Sequence, residues 1–136
     1  MIRDILNEAI VGQYPNLEID YSQVQLIRGN LLWSCGLLSQ SEGSGVVDIR
    51  WRVPADGTHL EDELIVMIYF STEKKWLFAE GVAQRVEGAC SLRFEAPIEG
   101  DRAQVWIAFR SRDQKAYSYS QFLGEVITHN TPSYEA

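Results

Sequence analysis

The pattern of hydrophobic and polar positions predicts a short helix followed by a much longer series of β-strands. In the first twelve residues, apolar side chains recur at the three- and four-residue spacing of an amphipathic helix, at Ile2, Ile5, Leu6, Ala9 and Ile10. Gly12 is a stop signal for such a helix, whereas no N-cap residue marks its start. We therefore predict a helix over residues 1–12 that is the remaining end of a longer one.

After this helix the apolar positions alternate with polar ones, which is typical of strands with one buried face. In residues 46–53, Val47, Ile49 and Trp51 alternate with charged side chains, so we expect one face in the core and the other in solvent. Residues 64–70 are apolar throughout instead. A strand of that composition is expected in the middle of a sheet whose two faces are both covered.

Turn signals separate about eight predicted strands, at residues 24–28, 31–39, 46–53, 64–70, 76–79, 90–94, 103–109 and 121–127. No helical pattern interrupts them, which favours a Greek-key antiparallel sandwich and excludes the parallel sheet of nucleotide-binding folds. The predicted fold is mainly β, an immunoglobulin- or fibronectin-like sandwich of about 7–8 strands over residues 13–129 behind the short N-terminal helix. Residues 130–136 are predicted to form a flexible tail.

The composition fits one globular domain and excludes several kinds of partner. The chain has 136 residues, of which 46% are hydrophobic and 23% charged, as in ordinary folded domains. Its net charge of −7 opposes contact with a phosphate backbone, so we expect no nucleic acid partner. No apolar run reaches the roughly 18 residues of a spanning helix, so we expect no membrane insertion. The two cysteines, Cys35 and Cys90, are predicted to be buried thiols.

Catalytic and metal-binding patterns are missing from the sequence. The two histidines, His59 and His129, lie beside a turn and near the C-terminus, away from any nucleophile motif, and no Walker loop or His-Glu-x-x-His helix is present. The acidic run at residues 61–63 would alternate between two faces of a strand, so we interpret it as solvated rather than as a cation site. We therefore predict a protein that is not an enzyme and has no cofactor.

Aromatic side chains are the candidate binding groups of this chain. Trp51 and Phe94 alternate with charged residues and are predicted to lie in the core. Trp106 is predicted either to pack beneath the N-terminal helix or to be exposed. The candidate site residues, which either pack between strands or stand exposed to stack on a sugar or anchor a protein, are Trp33, Trp76, Trp106, Tyr117 and Tyr119.

Two hypotheses for function follow from these patterns. The first is a non-catalytic sandwich used in protein interaction or assembly, with a partner protein or a second copy of the chain. The second is a carbohydrate-binding module whose platform consists of two or three rings among Trp33, Trp76, Tyr117 and Tyr119. Coplanar exposed rings would favour the second hypothesis, and burial of all four would exclude it.

Several blocks of sequence carry a family resemblance. They lie at residues 14–24, 28–31, 103–111 and 118–126, and include Arg28-Gly29-Asn30-Leu31 and Ser118-Tyr119-Ser120-Gln121. Through them the chain resembles an uncharacterised Bacteroidota family, the domain of unknown function 6266. The resemblance implies no catalytic residues. It also implies a glycine-rich, basic region ahead of this part, which this sequence does not match, in keeping with a truncated N-terminal helix.

Overall fold

Nine antiparallel strands make up most of the regular structure in the part of the chain that the structure describes. The structure is a computed structural model that describes residues 10–11, 18–19, 21, 24–40, 45–94 and 99–129. The strands are β1 (Ile10–Val11), β2 (Glu18–Ile19), β3 (Gly36–Gln40), β4 (Val46–Trp51), β5 (Glu63–Phe70), β6 (Lys75–Gln84), β7 (Ala89–Arg93), β8 (Arg102–Arg110) and β9 (Gln121–Ile127). Strands β1 and β2 pair with each other, and the other seven form two sheets of order β3-β4-β7 and β6-β5-β8-β9. The mainly β prediction is confirmed.

The predicted N-terminal helix is wrong where the structure describes it. Ile10 and Val11 form β1, with Ile10 opposite Ile19 of β2. Both residues of β1 are β-branched, which suits a pleated strand better than a helix, and antiparallel pairing satisfies their backbone groups. Residues 1–9 and 12 of the predicted helix lie outside the described residues, as does the predicted tail over residues 130–136.

The main core lies between the two sheets, which pack face to face. From β4, Val47, Ile49 and Trp51 point inward and are buried, as their alternation predicts. The facing sheet contributes alternate residues of β5 and β8, among them Phe109, whose ring meets that of Trp51 edge-on with centroids 5.7 Å apart. Burial of this apolar surface on both inner faces is the main favourable term for folding.

Strand β5 is the interior strand that its composition predicts, because it pairs with β6 on one side and β8 on the other. Its even positions face the main core, whereas Ile65, Met67 and Tyr69 face the opposite side of the sheet. There they form a second apolar cluster with Trp106 of β8, which we call the outer cluster. The outer cluster needs a cover of its own, since these side chains are almost fully buried.

That cover is residues 24–27, which were predicted to be a strand and instead lie as an irregular segment over the outer cluster. Ser120, just before β9, holds this segment in place. Its Oγ accepts hydrogen bonds from the backbone N–H groups of Leu26 and Ile27, at 2.9 and 3.1 Å. Its own N–H donates to the Ile27 carbonyl at 2.9 Å. The backbone is thus satisfied without a sheet ladder.

Glycine is required at residue 29, where the same segment approaches Tyr117 closely. A Cβ at this position would overlap the Tyr117 carbonyl oxygen. Two residues later, the Leu31 N–H donates to that carbonyl at 3.1 Å. The absence of a side chain therefore lets the two chain segments touch. Gly29 lies in one of the sequence blocks that carry the family resemblance.

A buried arginine closes one end of the main core. Arg85 begins the three-residue 3-10 turn between β6 and β7 and is 0% exposed. Its guanidinium lies 4.0 Å from the centre of the Phe109 ring, and its Nη1 is 3.4 Å from Oδ2 of Asp62. Its Nη2 also donates to the Leu32 carbonyl, while its own carbonyl accepts from Nε1 of Trp51 at 2.7 Å. One residue thus links four separate parts of the chain.

The acidic run at residues 61–63 is divided among three arginines. Glu61 pairs with Arg112 in solvent at 2.6 Å, and Glu63 pairs with Arg110 at 3.2 Å. Asp62 is 6% exposed, so the prediction that the whole run is solvated is wrong at its middle residue. Burial raises the pKa of the Asp62 carboxyl, although attraction to Arg85 opposes that rise.

We expect Arg85→Met to lower the free energy of unfolding by about 3 kcal/mol, because removing one member of a buried ion pair leaves the other charge uncompensated. Urea unfolding followed by circular dichroism measures the change. Arg112→Met is the matched control, since its exposed pair with Glu61 contributes under about 1 kcal/mol. Equal losses in the two variants would show that burial does not matter to the Arg85 pair.

Candidate functional site

The five predicted aromatic residues divide between a buried group and an exposed pair. Trp106 is fully buried, and Trp76 and Tyr117 are half-buried against the outer cluster. Trp33 and Tyr119 are 53% and 49% exposed, respectively. Packing therefore accounts for three of the five, and two remain as candidates for binding.

Trp106 packs under residues 24–27 rather than under a helix, which corrects one of the two predicted alternatives and excludes the exposed one. Its Nε1 donates to the Val24 carbonyl at 3.3 Å. The ring centroids of Trp76 and Phe122 lie 5.4 and 5.2 Å from that of Trp106. Burial in the same cluster raises the pKa of the Tyr69 hydroxyl. Trp106 is thus fully enclosed in the outer cluster, and the half-buried Trp76 and Tyr117 pack against that cluster.

Trp33 and Tyr119 line one groove, which lies where the edges of the two sheets adjoin. Trp33 stands just before β3 of the three-stranded sheet, and Tyr119 stands just before β9 of the four-stranded sheet. The groove encloses about 320 Å³. We call it the aromatic groove, and its lining consists of Gln25, Trp33, Tyr119, Ser120, Gln121 and Phe122.

Two side-chain amides in the aromatic groove are held in defined orientations. Oε1 of Gln25 accepts from the hydroxyl of Ser120 at 3.1 Å, and Oε1 of Gln121 accepts from the Gly36 N–H at 3.1 Å. A donor at each carbonyl oxygen determines which end of the amide is oxygen. No hydrogen bond joins either Nε2 to another part of the chain that the structure describes. Each amide therefore retains two N–H donors for a ligand.

A second groove lies on the other side of Trp33, lined by Leu32, Trp33, Ser34, Cys35 and residues 52–55. The Trp33 side chain is the wall common to both grooves. Cys35 is exposed, so the prediction of a buried thiol is wrong there. Residues 32–35 lie before β3 begins and are not part of a sheet. Cys90 is half-buried, and burial raises the pKa of its thiol.

The edge of the four-stranded sheet is a separate exposed surface. β6 forms this edge and pairs only with β5 among the described strands. Phe78 and Val82 of β6 are 49% and 37% exposed, and Val86 in the following turn is 48% exposed. The Phe78 ring stacks on Trp76 with an interplanar angle of 9° and a centroid distance of 5.8 Å, which extends the outer cluster to the sheet edge.

Sequence reasoning placed the two exposed rings among its candidates but missed their surroundings. Gln25, between Val24 and Leu26, and Gln121, between Ser120 and Phe122, belong to no motif and carry no local signal. The predicted strand at residues 76–79 also ends five residues before β6 does. Gly81 indicated a turn after that strand, although the apolar residues Val82 and Ala83 follow Gly81 directly.

The described residues lack two further features, a cluster of metal ligands and a membrane-spanning helix. Within the described ranges, no three His, Cys, Asp or Glu side chains come together as a metal ion would need. The described residues also contain no helix that is both long and apolar enough to cross a membrane.

We expect Trp33→Phe to remove most of the tryptophan emission that iodide can quench. Trp33 is the most exposed indole, whereas Trp51 is 6% and Trp106 0% exposed. Iodide titration of the folded protein measures the quenchable fraction. Trp76→Phe is the control, because its half-buried ring is expected to contribute less. An unchanged quenchable fraction in Trp33→Phe would contradict the exposed position of this ring.

Comparison with known proteins identifies a family. Neither a curated protein nor a solved structure matches the chain. The model of a family described as "Family of unknown function (DUF6266)" matches residues 1–124, which is most of the chain. This confirms the resemblance drawn from the sequence blocks: the chain belongs to the DUF6266 family.

Proposed function

We propose that this protein is a non-catalytic β-sandwich module for assembly, which joins a second copy of itself along the edge strand β6. The observation that supports this most is the length and exposure of that edge. β6 has ten residues, whereas the edge strands β3 and β7 have five each and β9 has seven. It also exposes Phe78 and Val82 at the edge.

An open sheet edge favours pairing for a physical reason. Its outer side presents a row of backbone N–H and C=O groups that another strand can satisfy. Many proteins block such pairing with short edges, proline or inward-pointing charges. β6 contains no proline, and its charged residues are Lys75 and Glu80, although its register against β5 is shifted by a bulge between Glu80 and Gln84. Apolar side chains beside the edge would add buried area to the backbone hydrogen bonds of a pair.

A second copy is a suitable partner because the edge can pair with itself. Two β6 strands related by a twofold axis would run antiparallel, as a closed dimer requires. In that arrangement Lys75, at the start of β6 in one copy, lies near the end of β6 in the other copy, past Glu80. The exposed side chains of Phe78 and Val82 from both copies would then meet near the axis.

The order of the strands supports a module of the fibronectin type. Counting from β3, the first, second and fifth strands form one sheet, and the fourth, third, sixth and seventh form the other. In an immunoglobulin constant domain the fourth strand belongs to the first sheet, whereas its transfer to the other sheet is the fibronectin type III arrangement. We infer that class of sandwich here. Such domains serve widely in recognition at cell surfaces.

The surroundings of the two histidines support a role without catalysis. His59 lies 3.3 Å from Asp62, and His129 lies 2.7 Å from Glu99. In the described part of the chain neither imidazole is hydrogen-bonded to a serine, threonine or cysteine side chain. An activated nucleophile would need such a bond to its general base.

We expect Val82→Lys to weaken self-association by on the order of tenfold in Kd, or about 1.4 kcal/mol, because it replaces an apolar contact near the twofold axis with a charge that must lose water. Sedimentation equilibrium over a range of protein concentrations measures the Kd. The wild-type chain should form dimers as its concentration rises.

The matched control is Leu37→Lys, which places the same charge on the edge strand β3 at a residue that is 70% exposed. It should leave the dimer unchanged. A wild-type chain that stays monomeric at every concentration would refute assembly through β6, and equal weakening by both variants would move the contact away from that strand.

A further inference from the structure

We infer that the aromatic groove is a binding site for a neutral saccharide. The groove adjoins β9 and β3, whereas the proposed assembly surface is β6, at the opposite edge of the four-stranded sheet. The inference therefore does not rest on the proposed function.

The residues that the structure describes around the groove carry no formal charge. Its six residues include two glutamines, a serine and three aromatic residues, but no Asp, Glu, Lys, Arg or His. This is unusual in a chain with 31 charged residues, 12 basic and 19 acidic. A phosphate or a carboxylate would find no opposite charge among these residues to offset its loss of water. The lining therefore favours a ligand without acidic groups.

Two exposed rings supply the apolar contacts that a sugar uses. About half of the Trp33 and Tyr119 side chains faces solvent. Indole and phenol rings combine a large apolar face with one polar group, which suits a ligand that has both apolar C–H faces and hydroxyls. Both residues line the same groove, so one ligand in it can contact both rings.

The two amides supply donors for hydroxyl groups. The Nε2 groups of Gln25 and Gln121 provide two N–H donors each, and Oε1 of each amide is already engaged by the protein. Both amides are already oriented before a ligand binds, which lowers the entropic cost of binding. Ser120, which orients Gln25, is 3% exposed and uses its hydroxyl to accept twice and donate once.

A peptide is the competing neutral ligand, and the geometry favours the sugar over it. A peptide that adds to a sheet is held by a row of backbone hydrogen bonds along a strand edge, whereas a proline-rich peptide docks on aromatic side chains. The polar groups described in the aromatic groove are side-chain donors instead, and its volume of about 320 Å³ is at the lower end of the ~300–1,000 Å³ typical of small-ligand sites.

The test uses the intact chain on an array of neutral and acidic oligosaccharides, followed by calorimetric titration with any neutral glycan that binds. We expect binding of at least one neutral glycan and none that requires a uronic acid, sulfate or sialic acid. Trp33→Ala and Tyr119→Ala should each weaken binding at least tenfold, whereas Trp76→Phe and Leu37→Ala should not.

A second pair of variants tests the amide orientation. Ser120→Ala should weaken binding several-fold because Gln25 loses the hydroxyl that directs it, and Ser120→Thr should restore most of the affinity by returning that hydroxyl. Gln121→Met keeps the length of the side chain and removes its donors, so it should also weaken binding. Circular dichroism and urea unfolding establish that each variant is folded.

Several outcomes would overturn the inference. They are binding of no neutral glycan, binding that Trp33→Ala leaves unchanged, and binding of a neutral proline-rich peptide library at Trp33 with no glycan bound. The Val82→Lys variant separates the two proposals, because it should retain full glycan affinity while losing self-association. Conversely, Trp33→Ala should lose glycan binding and still form the dimer.

Discussion

Burial of the outer face of the four-stranded sheet is the constraint from which most of the other features follow. Ile65, Met67, Tyr69 and Trp106 project from that face and would lie in water without a cover. Since β5 and β8 are apolar on both sides, the sheet cannot be stable with only the three-stranded sheet packed against it. Residues 24–27 supply the second cover, and the rest of the chain is arranged to keep them there.

The fastening of this cover also builds the aromatic groove. Ser120 bonds to the backbone at Leu26 and Ile27, and the same hydroxyl directs the amide of Gln25. After the cover the chain passes Gly29 and Leu31, which fix it against Tyr117, and then presents Trp33. Arg85 also donates a hydrogen bond to the carbonyl of Leu32, directly before Trp33. The position of Trp33 is thus determined by contacts of the residues that precede it.

The sequence predicts the sheet interior well because its signals are local. The alternation in β4 and the apolar run in β5 each report burial within one strand, and both predictions are confirmed. Residues 24–28 alternate for the same reason, since any extended segment with one buried side does so, whether or not it belongs to a sheet. Period alone cannot distinguish a strand from a cover. The spacing in residues 1–12 likewise indicates one apolar side without deciding between a helix and the strand found at Ile10 and Val11.

The features that sequence reasoning missed depend on residues far apart in the chain. Ser120 lies 94 positions from Leu26, and Arg85 lies 53 positions from Leu32. Asp62 sits in a run of three acids, and the approach of Arg85 and His59 makes its burial tolerable. Such pairings follow from the topology of the two sheets, whose order no short motif in this chain encodes.

The aromatic groove has one consequence that comes from the distance between its walls along the chain. Gln25 and Trp33 lie in the first third of the sequence and Tyr119 to Phe122 near its end, so the unfolded chain has no groove. Whatever occupies it binds only the folded form. At a ligand concentration of a hundred times Kd this adds about 2.7 kcal/mol to the free energy of unfolding, and the melting temperature rises accordingly. Thermal stability is thus a direct readout of occupancy, and it works without a label and for a ligand of any identity.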